Sequence, residues 1–160
     1  MADARRTRTS MNRRLPTLAI ATTVASALFS SNPGAAQVLP PAKRAGRVEI
    51  TKGPALESAT NHLTIIRWTT SNPGGSDVHY GVVHYGTDPR DLGQTAKNPI
   101  RLNHGHQYTT FRVRIEGLRP GTTYYYRVTS EESNGKSDGV KSTVKKFTTP
   151  SPGERIVTRP

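Results

Sequence analysis

Apolar residues in this chain come in short runs that alternate with polar ones, and Gly, Pro, Asn and Asp separate the runs. Between Arg47 and Pro150 the pattern marks seven segments: Val48–Thr51, Leu63–Thr69, Asp77–Tyr85, Pro99–Leu102, Gln107–Ile115, Thr123–Ser130 and Val140–Thr148. Alternation with a period of two is the mark of strands with one buried face, and no stretch sustains helical spacing. Thr64, Ile66 and Trp68 fall on one side of the second strand, and Leu63, Ile65 and Arg67 on the other. Phe111, Val113 and Ile115 alternate with Arg112, Arg114 and Glu116, as Tyr124, Tyr126 and Val128 do with Thr123, Tyr125 and Arg127. These faces predict an all-β fold, a seven-stranded antiparallel Greek-key sandwich of two sheets.

The third strand interrupts the alternation. Val78 and Tyr80 share a side, and so do Val83 and Tyr85, but the interval between the two pairs is odd. A bulge at Gly81 would reconcile them, since glycine tolerates the backbone angles a bulge needs. That bulge would bring His79 and His84 together on the outer face, beside Arg127.

The flanks follow a different pattern. Arg5, Arg6, Arg8, Arg13 and Arg14 precede a weakly apolar stretch, Leu15 to Phe29, which small residues close at Gly34, Ala35 and Ala36. Basic head, short apolar middle and small-residue exit are the parts of a secretory signal over residues 1–36, which implies a secreted or periplasmic protein. The middle is too short and too rich in Thr and Ser to span a bilayer stably. Met11 is an alternative start, and Arg13-Arg14 fits twin-arginine export as well as the general route. Residues 37–46 read as a flexible linker and 151–160 as a disordered tail, around a domain at 47–150.

Composition then narrows the chemistry. The chain has 160 residues, no cysteine and a formal charge of +12. Without cysteine there is no disulfide, thiolate metal site or thiol nucleophile. The segment 1–36 holds five of the basic residues and one acid, so the remainder keeps a net charge of +8. That excess suits anionic partners, and it equally suits a solvated surface that only maintains solubility.

One segment is more specific than the rest. Gly117-Leu118-Arg119-Pro120-Gly121-Thr122-Thr123-Tyr124-Tyr125-Tyr126-Arg127-Val128 closely resembles the corner between the fifth and sixth strands of fibronectin type III domains. Leu118 would plug the end of the core, Pro120-Gly121 would turn the chain, and Tyr124 would bury its ring while its hydroxyl meets upstream backbone. Trp68 resembles the core tryptophan of such domains. Val82-Val83-His84-Tyr85-Gly86-Thr87 with Leu92, Phe111–Ile115 and Lys146-Phe147-Thr148-Thr149-Pro150 extend the likeness to the amino-terminal domain of purple acid phosphatases, over roughly Val48 to Pro150. The resemblance implies a structural core that includes Trp68, Tyr85, Leu118, Pro120, Tyr124 and Tyr126. It also implies that acid phosphatase chemistry belongs to a separate two-metal domain with motifs resembling Gly-Asp-x-x-Tyr, Gly-Asn-His-Glu and Gly-His-x-His. None of these motifs occurs here, so no metal ligand carries over and the expectation is a non-enzyme without cofactor.

His104-Gly105-His106 could pair two imidazoles on a metal, but Asn103 and Gly105 suggest loop histidines in solvent. There is no Gly-x-Ser-x-Gly elbow, and Asn72-Pro73-Gly74-Gly75 lacks the Lys and helix of a phosphate loop. Arg67, Arg112 and Arg114 would share one outer face and form an anion-binding surface, or simply a solvated one. Tyr80, Tyr108 and Tyr125 are candidates for sugar stacking, and outward Leu63 and Ile65 for contact with a partner domain. The expected partner is a protein or an anionic envelope polymer. Nucleic acid and a stable membrane span are not expected, and the chain reads as a monomer.

Overall fold

The computed structural model describes residues 42–158; the secretory segment expected over 1–36 lies outside them. Two antiparallel sheets face each other. The strands, in chain order, are β1 (Ile50–Ala59), β2 (Leu63–Ser71), β3 (Val78–Gly86), β4 (Gln94–Arg101), β5 (Tyr108–Glu116), β6 (Thr123–Glu132), β7 (Ser137–Lys141), β8 (Lys145–Thr148) and β9 (Ile156–Val157). One sheet runs β5-β2-β1-β9; the other runs β4-β3-β6-β7, with β8 also pairing β6. Among the described residues no helix is long and apolar enough to cross a membrane.

Alternation along the strands builds the core. Ile66 and Trp68 from β2, and Phe111, Val113 and Ile115 from β5, meet Val83 and Tyr85 of β3 and Tyr124, Tyr126 and Val128 of β6. Trp68 stacks on Phe111 with ring centroids 5.3 Å apart, and Phe147 stacks on Tyr124 at 5.7 Å. Complete burial of side chains of this size is worth about 1.5–3 kcal/mol each, so the interface between the sheets is the main source of stability. Burial also pushes the Tyr126 phenol up to about 12.

The corner ahead of β6 is held by its own side chains. The Arg119 N–H donates to the Tyr124 hydroxyl at 3.0 Å, while Leu118 beneath it is 5% exposed. Thr149 Oγ1 donates to the Arg119 carbonyl at 2.6 Å and accepts from the Thr122 N–H at 2.9 Å. Pro120, expected in the core, is exposed instead. It shapes the turn from outside, where its carbonyl accepts the Thr122 hydroxyl at 2.9 Å.

The bulge expected at Gly81 does not exist. β3 pairs residue by residue with β4 and β6 straight through Gly81, which faces Asn98 on one side and Ser130 on the other. The inward positions are therefore His79, Gly81, Val83 and Tyr85. Gly81 lies beneath the tryptophan: a Cβ there would stand 2.9 Å from Trp68 Cη2 and 3.0 Å from both Phe111 Cδ1 and Val113 Cγ2. The glycine makes room for the indole and leaves the ladder regular.

Several bounds differ from those the sequence suggests. The fourth strand is twice the expected length, and β1 extends to Ala59 through three register shifts. The last segment divides at Ser142, whose Oγ accepts the Val128 N–H at 3.0 Å in place of a backbone carbonyl. Both flanks expected to be loose make backbone contacts. Ile156 and Val157 pair with Ala59 and Ser58. From Ala42 onward the linker lies along the turn before β3, with Gly75 N–H to Ala42 O at 2.9 Å and Ala45 N–H to Pro73 O at 2.8 Å.

Candidate functional site

On the outer face of the β1-β2-β5 sheet, Arg67 and Arg112 are direct cross-strand partners, with Arg114 two residues further along β5. Like charges directly opposite each other repel, and a carboxylate between them offsets that repulsion. Glu57 of β1 supplies it: its Oε2 lies 2.8 Å from Arg112 Nε and 3.5 Å from Arg67 Nε. Glu116 holds Arg114 at 2.7 Å. The three arginines share a face as the sequence suggests, and two carboxylates pair with them through their Nε atoms. Leu63 and Ile65 lie half-buried on the same side.

The two loop histidines are each tied to a neighbour rather than to one another. His104 Nε2 is 2.9 Å from Asp77 Oδ1, and His106 Nε2 is 3.3 Å from Asn103 Nδ2. Bonding to His104 holds the Asp77 carboxyl below its usual range. Among the described residues no group of three or more His, Cys, Asp or Glu side chains is arranged to hold a metal.

A buried polar network was missed by the sequence reading. His79 faces inward and is fully buried, with Nδ1 2.9 Å from Asp138 Oδ2 and Nε2 donating to the Gly74 carbonyl at 3.1 Å. Arg44, from the segment taken as a linker, donates to Glu132 and to the Ser137 carbonyl, and its Nη2 lies 3.8 Å from Asp138 Oδ1. Glu132 also accepts the Ser76 hydroxyl at 2.7 Å. That hydrogen bond first, then the charges of Arg44, His79 and Lys136, hold the Glu132 carboxyl below its usual range against the effect of burial. Every member binds its own chain, so the network is a clasp that fastens residues 42–46 to the end of the sandwich. The signal was present in the register: with β3 unbulged, His79 falls in phase with Val83 and Tyr85.

His84 is on the outer face of β3, apart from His79 and directly opposite Arg127. Its Nε2 lies 3.1 Å from Thr129 Oγ1. Partial burial first, then the charges of Arg127, Lys97 and Lys141, push its pKa down, with Glu131 opposing.

The strand orders β5-β2-β1 and β4-β3-β6-β7/β8, closed by a tyrosine corner, define a β-sandwich of the fibronectin type III kind. Within that class the chain belongs to the family of the purple acid phosphatase N-terminal domain, whose profile matches residues 54–149. Solved structures with a similar fold include the sensor domain of the anti-sigma factor RsgI4 from Pseudobacteroides cellulosolvens, at 18% identity and a TM-score of 0.46 over 70% of this chain and 98% of that one. The fn3 domain of human contactin 1 is similar at 16% identity and a TM-score of 0.40, over 78% of this chain and 95% of that one. No curated protein matches the chain.

Proposed function

We propose that this sandwich is an exported, non-catalytic interaction module that holds an anionic envelope polymer by charge. The observation that carries the reading is the family match at 54–149, which covers most of β1 and all of β2 to β8, the part of a purple acid phosphatase that stands apart from its metal-dependent chemistry. The inward positions are occupied by core side chains. Binding therefore belongs to the outer faces, and the net charge of +8 over residues 37–160 favours anions there.

Family membership also supports a second reading, in which the sandwich is an accessory domain or remnant of a secreted metallophosphatase, with the catalytic half lost or encoded separately. One assay addresses both. The purified protein, supplied with iron, zinc or manganese, is expected to hydrolyse a phosphate monoester no faster than the metals alone. Turnover above that control would contradict both readings. Stable co-purification with a chain that carries a two-metal ligand set would favour the second.

A further inference from the structure

The two outer faces differ in how their cations are satisfied. Lys97, Val82, Thr129 and Lys141 are aligned as direct partners across β4, β3, β6 and β7, and so share the outer face of that sheet. One step along β6, Arg127 lies opposite His84, and one step further Tyr125 lies opposite Lys146 of β8. Four cations, Lys97, Arg127, Lys141 and Lys146, thus surround His84 with one carboxylate among them, Glu131, which holds Lys97 at 2.6 Å. Arg127 Nε is buried with no hydrogen-bond partner. Val82 points outward at the middle of the group and is nevertheless 1% exposed, so neighbouring side chains close over it and the cluster is a packed surface. On the opposite sheet, by contrast, Glu57 and Glu116 answer Arg67, Arg112 and Arg114.

We propose that the outer face of β4-β3-β6-β7, with Arg127 at its centre and Lys97 and Lys141 at its sides, binds a linear polysaccharide bearing phosphate or sulfate groups. This rests on the adhesion reading above and names its site. Strands in a sheet are about 4.8 Å apart, so Lys97 and Lys141 stand roughly 14 Å from each other across four strands. A single phosphate would have to draw both lysines inward over the sheet, whereas a chain with repeated anionic groups meets each where it stands. With Nε closed off from solvent, the Nη groups of the half-buried Arg127 are the donors left for one such group, and the lysines act as point charges on its neighbours. Tyr80, Tyr125, Thr95 and Thr129 are on the same face, and the Thr129 and Thr95 hydroxyls lie 3.1 and 3.5 Å from the ring nitrogens of His84. An anion placed here would offset the charges of Arg127, Lys97 and Lys141 on His84. Binding should therefore raise the pKa of His84 and strengthen as pH falls through it.

The test uses heparin as the probe and two variants of equal charge change. Lys97→Gln/Arg127→Gln/Lys141→Gln should weaken binding at least about tenfold near 0.1 M salt and lower the salt slope by roughly one per cation removed. Arg67→Gln/Arg112→Gln/Arg114→Gln should stay within about twofold of the parent, because those arginines are already paired. Equal losses in both variants, or a loss confined to the second, would overturn the assignment while leaving the adhesion reading standing. Failure of the unsubstituted protein to bind heparin would end both. Tighter binding to duplex DNA or to anionic vesicles than to heparin would reject a polysaccharide as the ligand. Should Arg127→Gln unfold the protein, the exposed pair Lys97→Gln/Lys141→Gln serves in its place, and the ring protons of His84 report the pKa change without any substitution.

Discussion

At Gly81 the place where a side chain would begin is already taken by the edges of Trp68, Phe111 and Val113. Alanine there should lower stability by about 1–3 kcal/mol through overpacking, despite its smaller backbone entropy cost than glycine. The denaturant midpoint should fall with the m-value unchanged, and an unchanged or raised midpoint would contradict this packing. The same residue shows how a pattern can mislead. Period-two reading treats a glycine as a gap and a histidine as polar, so the odd interval between Tyr80 and Val83 suggested a slip in the strand. The structure keeps the phase and buries the histidine, because Asp138 and the Gly74 carbonyl satisfy both ring nitrogens. A buried polar side chain with partners from distant segments leaves no local mark in sequence.

Among the elements, the strands were legible wherever an apolar face alternates cleanly. β2, β5 and β6 show this, and each is bounded within two residues of its expected ends. Elements without a clean alternation were not: β9 is two exposed residues, and the second half of β1, with Leu56 against the core and Ala59 buried, is broken by register shifts. Residues 42–46 belong with these, since their attachment depends on Arg44 meeting Glu132 across 88 positions of sequence. The lowered pKa of Glu132 gives this attachment a pH signature. A depressed carboxyl contributes stability above its unfolded pKa, near the ordinary 4.5, and loses it as pH falls through the lower folded value. The backbone amide resonances of Ala45 and Gly75 should therefore titrate with a midpoint below 4.5, and Glu132→Gln should abolish the transition. A midpoint above 4.5, or an unaltered transition in the variant, would remove Glu132 from the clasp.

For the molecule as a whole, a surplus of positive charge says that anions are favoured but not where they go. The sequence places Arg67, Arg112 and Arg114 on one face, and they stand there. Glu116 follows Arg114 on that face in the same alternation, but the sequence gives no sign of Glu57, which reaches Arg67 and Arg112 from other strands. Nor does it show Lys97, Arg127, Lys141 and Lys146 as a group, since they come from four strands that the sheet pairing alone brings side by side. Chemical-shift mapping of the isotope-labelled protein during a heparin titration tests the central claim most directly. The account predicts perturbations centred on His84, Lys97, Arg127 and Lys141, fading as salt is raised. Perturbations centred on Arg67, Arg112 and Arg114, or spread evenly over both sheets, would contradict it.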